Sequence, residues 1–147
     1  MRRLRLLPED GAYEYFDHAA DVGIRCRATS VEGLFQAAGR ALMEWMGPAP
    51  GREETAALEA RVEGQDREDL LVRWLQELLY LFQTRHLYFV SVASVFISDR
   101  TLQGEFLFKH WDESSYGEFQ EVKAITYHQL RVFEEGGSWH ASVILDI

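Results

Sequence analysis

Residues that could do chemistry cluster near the start of the sequence, in the segment EYFDHAADVGIRC at positions 14–26. Asp17, His18 and Asp21 fall within five consecutive positions, just before an alternating run typical of a half-buried strand. Carboxylates bind hard cations such as calcium and magnesium, and an imidazole can carry a proton near neutral pH. An Asx turn would use the same residue types. From spacing alone, a ligand site and a plain turn both remain open.

A further acidic residue lies at the other end of the chain. In the closing segment SWHASVILDI, residues 138–147, apolar residues at the odd positions alternate with a second set that includes Asp146. Successive side chains of a strand point to opposite faces, so Asp146 is predicted to point away from the main apolar face. It could be a ligand or simply a solvated strand end.

Composition limits the classes of protein to consider. A chain of 147 residues, 47% apolar, predicts a single domain over residues 1–147 with a real core. The 24 acidic residues outnumber the 15 basic ones, and a net charge of −9 opposes strong direct binding to nucleic acid. The richest apolar run, LLVRWLQELLYLF, is interrupted by charged and polar residues, so no membrane partner is expected. Cys26 is a lone cysteine, which predicts a buried core residue and a reducing, cytoplasmic location.

The first half of the chain alternates strand and helix patterns. Residues 22–28 have the period of a strand, and Ser30 then caps a helix that ends at GPAPG from Gly47. Residues 58–62 form a second short strand. Asp66 caps a second amphipathic helix, DREDLLVRWLQELLYLFQ, whose apolar residues form one stripe.

The second half is strand after strand. Residues 87–97 are apolar on both faces, which indicates a central strand, and a turn at 98–101 leads to residues 102–109 as a hairpin. Residues 110–120 lack a period and form the longest loop, and the last two strands flank EEGG. We therefore predict an α+β domain in which two amphipathic helices pack on a largely antiparallel or mixed sheet of six or seven strands.

Four motifs together resemble the archease family, small proteins that assist the RNA ligase that seals tRNA halves and other broken RNAs. They are DHAADVGI, EDLLVRWLQELLYLF, EVKAITYH and the closing DI, in this order, and the resemblance spans essentially the whole chain. Ala19 stands where the family usually has threonine.

The resemblance implies a divalent-cation site formed by Asp21, Asp146 and an oxygen of the terminal Ile147. Calcium is the first expectation, with magnesium and manganese as alternatives, because hard cations take oxygen ligands. It also implies that the protein is not an enzyme. It would promote guanylylation and multiple turnover of a GTP-dependent, 3′-phosphate-type RNA ligase in tRNA splicing and RNA repair.

Three more residues are candidates for supporting roles. Asp17 and His18 would shape the loop that carries Asp21, and His18 could also shuttle a proton. Lys123, in EVKAITYH, could contact a phosphate as a point charge, or could be an exposed lysine without a task.

Two other functions compete with ligase activation. A small metal-dependent hydrolase would need a nucleophile or base beside the metal, and the sequence offers no Ser-His-Asp arrangement, phosphate-binding glycine loop or two-metal carboxylate cluster. An RNA-binding or chaperone-like module is opposed by the acidic balance and by aromatic residues that mostly follow core periods.

Overall fold

The computed structural model describes residues 11–51, 54–112 and 119–147, and within them the chain forms two helices and seven strands. The helices are α1 (Val31–Met46) and α2 (Arg67–Arg85). The strands are β1 (Ala12–His18), β2 (Asp21–Ala28), β3 (Ala56–Glu63), β4 (Leu87–Ile97), β5 (Thr101–His110), β6 (Ala124–Glu135) and β7 (Ser138–Asp146). The predicted α+β class is confirmed, although the strands form two sheets rather than one. Their orders are β1-β2-β7-β6 and β3-β5-β4, with antiparallel neighbours.

The helices form a middle layer between the sheets. Helix α1 packs on β1, β2 and β7 of the four-stranded sheet and on β4 of the other, while α2 packs on β6 and on the whole three-stranded sheet. The buried Trp74 of α2 donates its indole N–H to the carbonyl of Phe35 in α1, at 3.0 Å. The four-stranded sheet thus has an inner face toward the helices and an outer face directed away from them.

Both predicted helix starts are confirmed by their caps. The Ser30 hydroxyl accepts a hydrogen bond from the N–H of Gly33 at 3.0 Å, and the Asp66 carboxylate accepts one from Asp69 at 2.7 Å. Each cap satisfies a backbone donor that the helix leaves unpaired, which typically stabilises a helix by about 1 kcal/mol.

The prediction that residues 87–97 form a central strand is wrong, because β4 lies at an edge and β5 is central. Its pairing with β5 is irregular between Phe89 and Ser91 and again between Val92 and Ser94. These irregularities shift the alternation, so that Phe89, Val92 and Val95 are all buried although they are three residues apart. The strand is apolar at both alternating sets of positions without being central, because the irregularities turn residues of both sets, such as Phe89 and Val92, into the core.

The N-terminal strand β1 was missed from the sequence. It forms a hairpin with β2, and residues 19 and 20 form the turn, with Ala19 at a φ of 52°. Asp17 and His18 are therefore the last residues of a strand, not parts of a loop. Strand β1 escapes detection because both of its faces mix aromatic and polar residues.

Cys26, the predicted loop and the two helices can each be compared with the sequence analysis. Cys26 is buried in the core as expected, and burial raises the pKa of its thiol to about 12. Of the predicted loop 110–120, residues 113–118 lie outside the described residues, and His110 ends β5. Neither α1 nor α2 is long and apolar enough to cross a membrane.

Candidate functional site

Asp21 and Asp146 come together through the pairing of β2 with β7. Val22 lies opposite Leu145, so the same antiparallel register, extended by one step, places Asp21 opposite Asp146. Residues opposite each other share a face, with Cβ atoms about 5 Å apart. Both aspartates alternate with buried core neighbours, and their side chains therefore leave the sheet on the outer face.

This pair has the donor chemistry that a hard divalent cation requires. Like charges directly opposite on adjacent strands destabilise a sheet, and a shared cation would turn that repulsion into attraction. Among residues 11–51, 54–112 and 119–147, three or more His, Cys, Asp or Glu side chains never converge in a metal-binding arrangement. Two aspartates leave most positions around calcium to backbone oxygens, water or a partner molecule.

His18 lies beside this pair, whereas Asp17 does not. His18 is paired with Asp21 in the β1–β2 register, and its Nδ1 lies 3.9 Å from the Asp21 Oδ2. That Nδ1 is buried and has no hydrogen-bond partner within the described part of the chain. Asp17 is exposed and pairs with Val22, so alternation sends its side chain to the inner face. The structure therefore separates the two neighbours.

Lys123 and Ile147 lie at the same end of the sheet. The N–H of Lys123 donates to the carbonyl of Asp146 at 2.7 Å, and the Lys123 side chain is exposed. Ile147 is half-buried and packs against the core, which fixes the backbone that follows Asp146. Hence the backbones of both residues adjoin the aspartate pair.

The site includes a histidine that sequence reasoning did not assign to it. The rings of His18 and His128 meet edge to face at 5.2 Å, although β1 and β6 are the two outermost strands of their sheet. The pairing of β6 with β7 is irregular between Thr126 and Arg131, and the His128 side chain of this stretch reaches His18 on the outer face. Gln129, next to His128, has a φ of 52°, and a glutamine gives no sequence signal for this left-handed conformation or for the irregularity around it.

Apolar residues fill the outer face next to the histidines. The ring of Phe16 lies over Gly23, where a Cβ atom would come within 2.1 Å of it. Ile144 is only 1% exposed although it points away from the main core. Gly23 pairs with both Phe16 and Ile144, so these three residues form a small apolar patch on the outer face, beside the half-buried His18 and the exposed His128.

Tyr127 anchors the irregular stretch of β6 to α2. Its hydroxyl donates to the Asp69 carboxylate at 2.6 Å, and the same carboxylate accepts from the N–H of Gln65 and from Arg73. These hydrogen bonds, that of Tyr127 above all, lower the pKa of Asp69, and the pKa of Tyr127 is raised by the same contact. The stretch that carries His128 is thus held to the helix layer.

Comparison with known proteins supports one family. The sequence profile of the archease protein family matches residues 13–147. The archease protein of Pyrococcus furiosus is 33% identical over 92% of this chain and 98% of its own length. That of Methanothermobacter thermautotrophicus is 34% identical over the same shares.

Solved structures agree with the sequence comparison. The solution structure of a Methanobacterium thermoautotrophicum protein superposes with a TM-score of 0.70 at 31% identity, covering 92% of this chain and 98% of that one. A Thermotoga maritima crystal structure, described as an archease and possible chaperone, gives a TM-score of 0.60 at 20% identity, over 90% and 94% of the two chains, and supports the fold alone. With the family profile matched over nearly its whole length, this chain belongs to the archease family.

Proposed function

We propose that the protein activates a GTP-dependent, 3′-phosphate-type RNA ligase by promoting its guanylylation and multiple turnover. A divalent cation, calcium in the first place, would be held by Asp21, Asp146 and a backbone oxygen of Ile147. Membership of the archease family supports a role exerted on a partner protein.

The observation that carries the proposal is the register of β2 and β7. It places two carboxylates opposite each other on one exposed end of a sheet, where their mutual repulsion has no structural benefit. Two aspartates and one backbone oxygen fill only part of the six to eight positions around calcium. The remaining positions would suit phosphate oxygens or side chains of a partner, as expected of a site that works across an interface.

The neighbouring residues have roles that follow from their placement. Lys123 is exposed beside Asp146 and could pair with a phosphate that reaches the cation. His18 contacts His128 and adjoins Asp21, so it would position the aspartate rather than bind the ion. Asp17, on the other face of the sheet, could reach only a partner that wraps around the edge strand β1.

A guanylylation assay tests the proposal directly. The candidate ligase is incubated with labelled GTP and calcium or manganese, with and without an equimolar amount of this protein, and the labelled ligase is measured with time. We expect faster guanylylation and many ligation turnovers per ligase when the protein is present, and no ligation by the protein alone. Unchanged guanylylation would contradict activation. RNA cleavage that follows the protein through purification would instead support a metal-dependent hydrolase.

A further inference from the structure

The outer face of the four-stranded sheet changes character from one end to the other. Strand pairing aligns Glu14, Arg25, Ser142 and Arg131 in one row across the sheet. The next row, further from the aspartates, contains Ala12, Arg27, His140 and Phe133. We call Arg25, Arg27, Arg131, Phe133 and His140 the basic platform. Arg27 is six residues from Asp21 along β2, so the platform reaches to about 20 Å from the aspartate pair.

Flat groups are stacked on this platform. The rings of Phe133 and His140 are 5.0 Å apart and nearly parallel, at 14°. The guanidinium of Arg131 lies 4.4 Å from the centre of the Phe133 ring. The column Arg131–Phe133–His140 therefore runs across β6 and β7 toward Arg27 on β2.

A groove lies where this column ends. It has a volume of about 500 Å³, and its lining includes His140, Arg25, Arg27, Ser138 and Glu14. Pockets of a few hundred Å³ hold small molecules the size of a nucleotide. A base entering the groove could continue the stack on His140, with its phosphate near Arg27.

At this end of the sheet the outer face carries three arginines against two glutamates, Glu14 and Glu135, so its charge is positive by one. Arg25 is paired with Glu14 at 2.6 Å and also lies over the ring of Phe16. Arg27 and Arg131 are exposed and make no ion pair within the described part of the chain. In a protein with a net charge of −9, two such arginines beside stacked rings complement an anion with flat groups.

We propose that the basic platform binds single-stranded RNA, one base stacking on His140 and the flanking phosphates pairing with Arg27 and Arg131. An acidic peptide would satisfy the arginines but would leave the ring stack without a partner, whereas bases stack on aromatic rings and on arginine planes. The net charge of −9 limits the affinity of the whole protein for RNA to a modest value, but it does not prevent binding at the locally positive basic platform. That the bound strand is the substrate of the ligase rests on the proposed function, whereas the binding itself does not.

Titration of the protein alone into a single-stranded RNA dodecamer containing 2-aminopurine tests the proposal without any ligase. We expect quenching of the 2-aminopurine on binding, because a stacked base loses fluorescence. The logarithm of the affinity should fall with the logarithm of salt concentration with a slope of about −1.4, given two arginines at about −0.7 each. The same dodecamer in a duplex should bind more weakly, because its bases are already stacked and paired.

Matched variants separate the platform from general charge. Arg27→Gln/Arg131→Gln should weaken binding at least tenfold at low salt and reduce the slope to near zero, because both proposed phosphate contacts are gone. Arg61→Gln/Arg100→Gln removes the same charge from β3 and from the turn between β4 and β5, and should bind like the parent. His140→Ala should abolish the quenching and weaken binding about tenfold, a change within the range for one stacked base. Melting curves confirm that each variant is folded.

Three results would overturn the proposal. The first is that the parent shows no detectable RNA binding at low salt. The second is that the two double-arginine variants bind RNA equally well. The third is that a poly-glutamate of matched length competes as strongly as unlabelled RNA. The last result would assign the platform to an acidic protein surface. Each of these can occur while the protein still promotes guanylylation of the ligase, so this proposal and the proposed function can fail separately.

Discussion

The two ends of the outer face of the four-stranded sheet carry opposite chemistry on the same scaffold. At one end Asp21 and Asp146 lie opposite each other beside His18, and at the other end Arg27 and Arg131 flank a pair of stacked rings. Between them Phe16 and Ile144 form a small apolar patch that also separates the charges. In both regions the strand pairing brings together side chains that are far apart in the sequence.

Net charge alone therefore describes the surface of this protein poorly. Averaged over the chain, a charge of −9 predicts avoidance of phosphate and affinity for cations. The sheet divides that average into an acidic end, which we propose binds a cation and a protein, and a basic end, which we propose binds RNA.

Removing either aspartate should have the largest effect. Asp21→Ala and Asp146→Ala should each reduce guanylylation of the ligase to the rate seen without this protein, because neither carboxylate alone would hold the cation. Asp→Asn should fail as well, since it keeps shape but removes charge. Glu59→Ala, at an exposed position on β3, is the control and should activate normally. Full activation by both aspartate variants would remove the pair from the mechanism.

Calcium should change the order of stability of the parent and the variants. An ion that binds only the folded state adds about 2.7 kcal/mol at a hundred times its dissociation constant, or roughly 5–10 °C in melting temperature for a domain of this size. With a chelator, Asp21→Asn should melt at or slightly above the parent, because a repulsion between opposed carboxylates is gone. With calcium, the parent should melt higher. Identical calcium shifts in both proteins would contradict this.

Salt should weaken association with the ligase if the acidic end is the docking surface. The ligase surface that meets it should be basic, and added salt screens such charge pairs. We expect affinity to fall about tenfold between low and physiological ionic strength, measured by surface plasmon resonance. An affinity that is constant over this range would argue against electrostatic docking.

The smallest effect is expected on the free energy of unfolding, when the contact of Tyr127 with α2 is removed. Tyr127→Phe removes the hydrogen bond to Asp69 and should cost about 0.5–1 kcal/mol, because the bond is partly exposed. The pKa of Asp69 is lower in the folded protein than its ordinary value of 3.8. The ionised Asp69 carboxylate therefore stabilises the fold fully above pH 3.8, and this contribution is lost as the pH falls through the pKa of the folded state. Urea unfolding should therefore show a larger difference in the free energy of unfolding between the parent and Tyr127→Phe at pH 7 than at pH 3. An equal or larger difference at pH 3 would contradict this assignment.

Much of the fold could be predicted from local patterns. Both helices have strong apolar stripes and a capping residue, and Ser30 and Asp66 cap them as expected. The edge position of β4 and the division into two sheets depend on long-range pairing that local periodicity does not encode. Strand β1 was missed because Tyr13 and Tyr15 lie on the inner face with Asp17, so neither face looks consistently apolar.

The candidate site could be predicted only through the resemblance of its motifs. Periodicity correctly placed Asp146 on the outer face, but no local pattern shows that it would lie opposite Asp21, more than a hundred residues away in the chain. The contact of His18 with His128 and the stack of Phe133 on His140 depend on the same pairing and on an irregularity in β6. The roles of Asp17, His18 and Lys123 remain predictions.

Calorimetric titration of calcium into the parent and into Asp21→Ala tests the central claim, that Asp21 and Asp146 hold one divalent cation between them. We predict one calcium ion per parent molecule, no measurable binding by Asp21→Ala or Asp146→Ala, and parent-like binding by Glu59→Ala. Magnesium and manganese, titrated in the same way, identify the preferred ion. Equal binding of calcium by the parent and Asp21→Ala would contradict the claim, and Asp21 would then be only the first residue of a strand after a tight turn.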